Sequence, residues 1–167
     1  MNKFEIMDNV GRKMFINHFN KYIKYVELTE EFCQHDINIT GNTGIRSYVE
    51  IKTCGKQKLI EDYSGSTIIN QSKLNHFRQV LADQPARQCL FARYYTDGII
   101  LFDISSRIRL NEQLDKRSIH VGVNTVYDNN QTKKDVDIAY LSCNKKFNDK
   151  IYRYVNKNNN IILKQIF

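Results

Sequence analysis

A chain of 167 residues with formal net charge +7, 41% hydrophobic and 26% charged residues, one proline and seven glycines suits one domain that buries roughly two-thirds of its unfolded surface. The glycine and proline counts exclude collagen-like and linker-type chains, and ten Tyr and nine Phe supply the core volume that disordered chains lack. Lys plus Arg exceeds Asp plus Glu by 25 to 18, a balance compatible with a polyanionic partner.

The opening residues, Met-Asn-Lys-Phe-Glu-Ile-Met-Asp, carry acids and no hydrophobic stretch, unlike a signal peptide. No apolar run approaches the ~18 residues of a membrane span. Cys33, Cys54, Cys89 and Cys143 lie far apart without a C-x-x-C pair, which speaks against a zinc site or disulfide framework. The expectation is a cytoplasmic protein with no membrane partner. No repeat recurs at periods of roughly 20–50 residues.

In chain order, Val10, Met14, Phe15, Phe19, Tyr22, Ile23 and Val26 recur at three- and four-residue steps and predict an amphipathic helix from Asp8 to about Tyr25. Short strands are expected at Tyr25–Thr29, Cys33–Thr40 and Ile45–Cys54. The last two are joined by Gly41-Asn42-Thr43-Gly44, a hairpin signature. Residues 55–70 are polar and read as an ordered loop. Leu74, Phe77, Val80 and Leu81 predict a second helix over Asn70–Ala82, with Pro85 just beyond it. Gln88–Tyr95 and Ile99–Ile104, joined by Thr96-Asp97-Gly98, predict a second tight hairpin. Ile119–Tyr127 and Val136–Ser142 are further strands, Asp149–Val155 is a short helix or strand, and a polar turn precedes the apolar segment Ile161–Phe167. Helix, three strands, helix, two strands and C-terminal additions make an α/β chain with a mixed sheet.

Chemistry concentrates in the first hairpin. Glu50 and Lys52 share one face of a strand, roughly 6.5–7 Å apart along it. The neighbouring strand carries Asp36 within His35-Asp36-Ile37-Asn38-Ile39, although Asp is depleted in strands. Two adjacent carboxylates repel when both are ionised, and a hard cation such as Mg²⁺ (or Mn²⁺) relieves that repulsion. The main-chain carbonyl of Ile51 could add a third oxygen. Lys52 would then orient the attacking water and offset charge on a phosphorane-like transition state. The competing interpretation is an exposed hairpin with a cross-strand ion pair worth ~0–1 kcal/mol.

Helix, His35-Asp36-Ile37-Asn38-Ile39, Ser47-Tyr48-Val49-Glu50-Ile51-Lys52-Thr53, then a helix and two strands resembles the PD-(D/E)xK nuclease superfamily over about residues 8–104. The resemblance implies a restriction-endonuclease-like αβββαβ core, with a central mixed sheet flanked by helices. It makes Asp36 and Glu50 metal ligands beside Ile51, and Lys52 the catalytic lysine. His35 stands where the name-giving proline often lies. An acid on the first helix, Asp8 or Glu5, and a polar residue on the next helix, Gln71 or Lys73, are candidates for accessory roles. Lys56, Lys58 and Arg78 are candidates for phosphate contacts. The implied function is a Mg²⁺-dependent nuclease, an endonuclease of DNA. Residues 105–167 form an extension of one domain spanning residues 1–167, with room for recognition or homodimerisation. The alternative is a nucleic-acid-binding or assembly module on the same fold that does not cut.

Overall fold

The computed structural model describes residues 3–29, 35–53, 59–63, 65–114, 116–122, 133–157 and 160–167. Helix α1 (Lys3–Phe19) leads through a tight 3-10 turn at Asn20–Tyr22 into strand β1 (Ile23–Leu28). The helix therefore ends six residues before the expected Tyr25. Ile23 has already turned extended, at φ −104° and ψ 123°, and the Tyr22 carbonyl accepts the Asn42 N–H instead of continuing the helix. Strands β2 (Ile37–Gly41) and β3 (Arg46–Thr53) form the expected hairpin.

Residues 55–70 are not all loop. Glu61–Tyr63 form a 3-10 turn, and Ser66–Asn70 form strand β4 immediately before α2 (Gln71–Asp83). Strands β5 (Gln88–Tyr95) and β6 (Gly98–Asp103) follow as expected. A short helix α3 (Ile104–Arg109), unforeseen in the sequence, starts where the Asp103 carboxylate accepts the Ser106 N–H as its N-cap. Strands β7 (Lys116–Gly122), β8 (Lys133–Ser142), β9 (Lys150–Lys157) and β10 (Asn160–Gln165) complete the chain. The segment 123–127 of the expected strand Ile119–Tyr127, and Cys33 and Cys54, lie outside the described residues. Among the described residues, no helix is long and apolar enough to cross a membrane.

Seven strands make one mixed sheet in the order β1-β2-β3-β5-β6-β9-β10, and β4-β8-β7 make a second, antiparallel sheet. All neighbours in the large sheet are antiparallel except β3 and β5. A parallel pair needs a crossover, and β4 with α2 provides it. Strand β5 is buried on both faces, as a central strand between two layers should be. Leu90, Ala92 and Tyr94 join the cluster under α1, and Cys89, Phe91 and Tyr95 join the cluster under α2.

The first cluster is made by Phe15 and Phe19 of α1 on Val49 and Ile51 of β3. Gly11 sets how closely they meet: a Cβ there would stand 3.2 Å from Ile51 Cγ2 and 3.3 Å from Thr53 Cγ2. That close approach carries Arg12 to the edge of β3. The second cluster packs Leu74 and Phe77 of α2 against Phe91, Phe102, Ile104 and Leu141. Full burial of each such side chain contributes roughly 1.5–3 kcal/mol.

Beside that cluster, Arg107 of α3 is only 2% exposed. Its guanidinium forms an ion pair with buried Asp149, donates to Glu112 Oε1 at 2.6 Å and to the Ser142 carbonyl at 2.6 Å, and lies over the Phe147 ring. Burial pushes the Asp149 carboxyl up, and Arg107 opposes that shift. This network ties the C-terminal strands to the core.

Candidate active site

Alternation along β3 sends Val49 and Ile51 toward α1, and sends Tyr48 and Glu50 toward α2. Glu50 is 1% exposed. Its Oε2 accepts from Lys73 Nζ at 3.0 Å, and Lys52 Nζ stands 3.3 Å from Oε1. That contact is an ion pair without hydrogen-bond alignment, so Oε1 accepts no hydrogen bond from the described residues. Burial raises the Glu50 carboxyl above its ordinary value; Lys52 opposes this, Asp36 adds to it and Lys73 opposes it.

Asp36 lies on the bend that leads into β2, one residue before the strand, and not within the strand as the sequence suggested. Its N–H donates to the Val49 carbonyl at 2.9 Å. Thr29 Oγ1 lies 2.8 Å from both the His35 and Asp36 carbonyls. The carboxylate turns back over β3: Oδ2 accepts the Ile51 N–H at 2.6 Å, and Oδ1 faces Arg12 Nη2 at 3.4 Å. Val49 turns its carbonyl toward β2, so Ile51, two residues on, directs its N–H and carbonyl to the same edge. The Asp36 side chain therefore extends the ladder at the point where β2 has ended.

A polar chain flanks this pair. His35 stacks on Tyr48 with ring centroids 4.4 Å apart, its Nε2 lies 2.6 Å from Asn38 Oδ1, and its Nδ1 lies 3.1 Å from His76 Nε2. Asn38 Oδ1 can only accept, which places a proton on His35 Nε2 and makes Nδ1 the acceptor for His76. Burial lowers the pKa of both histidines.

The structure thus brings together Asp36, Glu50, Ile51, Lys52 and Lys73. Gln71 and Arg78 lie on the other flank of α2, both bonded to Asn75 Oδ1, at 2.8 and 3.0 Å. Lys56 and Lys58, and the side chain of Asp8, lie outside the described residues. Arg12 had drawn no role in the sequence, and the contact between His35 and His76 was not foreseen there. Arg12 stands one residue from the glycine that admits α1, and only the packing of α1 on β3 gives it a partner.

The residues fit a hard divalent cation. Glu50 Oε1 is a buried acceptor with no hydrogen-bond donor among the described residues, and Asp36 stands close enough to raise the Glu50 pKa. The Ile51 carbonyl faces the Asp36 edge. Mg²⁺ is commonly held by one or two carboxylates and keeps several waters. Among the described residues, no group of three or more His, Cys, Asp or Glu side chains is placed to hold a metal.

No family model and no curated protein matches the chain. Among solved structures it is similar to Hjc, a Holliday junction resolvase from the archaeal hyperthermophile Archaeoglobus fulgidus. The two share 10% identity over 82% of this chain and 90% of that one, with a TM-score of 0.42. The order helix, three antiparallel strands, helix and parallel strand stands on the connections described above. The fold is mixed α/β, a central mixed sheet flanked by helices.

Proposed function

We propose that the chain is a divalent-metal-dependent nuclease that hydrolyses phosphodiester bonds, with DNA as its substrate and residues 1–167 acting as one domain around a core of about 8–104. The observation that carries this reading is the convergence of Asp36 and buried Glu50 on the β3 edge, with Lys52 and Lys73 on the Glu50 oxygens. Asp36, Glu50 and the Ile51 carbonyl would hold Mg²⁺ or Mn²⁺, which when bound offsets the charge that builds on the phosphate during hydrolysis.

Lys52, with 41% of its side chain exposed, can leave Glu50 to meet an incoming phosphate oxygen and orient a water for attack. Lys73 is more enclosed and holds Glu50 in place through Oε2. Thr29 and the Ile51 N–H fix Asp36, so neither carboxylate depends on a freely moving side chain.

A second reading has its own observation. Each carboxylate already faces a protein cation, Asp36 facing Arg12 and Glu50 facing the two lysines. A closed ion-pair network of this kind suits a nucleic-acid-binding module that does not cut. The test is cleavage of duplex DNA, single-stranded DNA, branched DNA and RNA with Mg²⁺, Mn²⁺ or EDTA, using the parent, Glu50→Ala and Lys52→Ala. Metal-dependent cutting lost in both variants supports the nuclease. Binding without cutting in any metal supports the module, and full activity in either variant rejects the site.

A further inference from the structure

Helix α2 has a second polar flank. Lys73 meets Glu50 and His76 meets His35, whereas Gln71, Asn75 and Arg78, at helical spacing, line a separate cleft of about 460 Å³. Its opposite wall is the small sheet: Lys116 and Arg117 of β7, with Asp137 of β8. Among the described residues, three cations and one carboxylate thus line one concave surface. Their positions are constrained. Asn75 Oδ1 accepts from both Gln71 Nε2 and Arg78 Nη1, and the Arg117 guanidinium lies 5.3 Å from the Tyr140 ring centroid. Gln71 Oε1 is buried and has no hydrogen-bond partner among the described residues.

We infer that this cleft binds the sugar-phosphate backbone of a nucleic-acid strand, as a second contact beyond the Asp36–Glu50 cluster. A phosphodiester backbone supplies closely spaced anions for Arg78, Lys116 and Arg117. This assignment rests on the nuclease reading for its substrate but not for its test.

The test is binding by the full chain, in EDTA, of fluorescein-labelled duplex DNA, single-stranded DNA and RNA of one sequence, followed by anisotropy across a salt series. Arg78→Gln/Arg117→Gln should weaken binding to the preferred strand roughly tenfold or more. It should also flatten the slope of log K against log salt by about 1.8 for duplex or 1.4 for a single strand. Lys116→Gln/Arg117→Gln, on exposed β7 positions, is the second pair should the first not fold. Lys157→Gln, on the large sheet, removes one charge as a control. Affinity and slope in both double variants equal to those of Lys157→Gln overturn the assignment. If the parent still cuts with Mg²⁺ in that case, only the cleft falls. A parent that neither binds nor cuts overturns both.

Discussion

Neutralising Glu50 should make the metal-free protein more stable at alkaline pH. The carboxylate is 1% exposed, and burial is the largest influence raising its pKa above the ordinary 4.5. A carboxyl whose folded-state pKa is raised binds its proton more tightly when folded. Its contribution is fully present below the unfolded value and is lost as pH rises through the folded one. Glu50→Gln keeps the shape and removes that loss. The lysines it leaves behind have 22% and 41% of their side chains exposed, so both can turn to water. The expected gain at pH 8 is about 1 kcal/mol, or about 2–4 °C in Tm for a chain of this size. Near pH 4.5 the two proteins should differ little.

Mg²⁺ should reverse the order. At ten times its Kd, a ligand specific to the folded state adds about 1.4 kcal/mol, or about 3–6 °C, to the parent and much less to the variant. Thermal melts of both proteins from pH 4.5 to 8.5, with and without Mg²⁺, measure all of this. A variant destabilised equally at both ends of the range, or an equal Mg²⁺ response in both proteins, would refute the reasoning.

Asp36→Asn removes the second anion while keeping one oxygen, so calorimetry should show Mg²⁺ binding lost or much weakened, with nuclease activity down by orders of magnitude. Arg107→Ala strands the Asp149 charge in the core and should cost about 3–5 kcal/mol in denaturant unfolding; adding Asp149→Asn should recover part of that loss. Gly98→Ala should cost at least about 3 kcal/mol, or give insoluble protein, because its Cβ would stand 2.0 Å from the Tyr152 carbonyl oxygen. Soluble expression and a melt of Gly98→Ala within 2 °C of the parent would contradict that geometry.

The sequence carried the hairpin through Gly41–Gly44, the strand at Gln88–Tyr95 and the shared face of Glu50 and Lys52, because each follows from local periodicity and turn chemistry. It lost what depends on distant partners. Ser66–Asn70 pairs with Ile138–Ser142, and although Thr67, Ile68 and Ile69 favour a strand, three residues at the end of a polar stretch are too short a run to declare one. Helix α3 hides because six residues carry too little periodicity, and its start is set by the Asp103 cap. At the site, Asp36 and Glu50 were visible as acids of one hairpin, although Asp36 precedes its strand, and Lys73 as a polar residue on the next helix. The arrival of Arg12 was not visible, since only the packing of Gly11 on Ile51 brings α1 to that edge.

The pairing of β4 with β8 also fixes an order of assembly. Strand β4 runs directly into α2, and its partner lies some seventy positions further along the chain, with Ser66 opposite Ser142 and Asn70 opposite Ile138. Contacts of such long sequence separation form late, since loop closure must precede them. On the ribosome, β4 has no partner until residues 138–142 have emerged, and the helix carrying Lys73 has no anchored N-terminal end before then. A nascent chain that stops short of β8 should hold Asp36 and Glu50 in sequence without Lys73 fixed against them. Pulse proteolysis of stalled chains should show α2 becoming protected only after β8 has emerged.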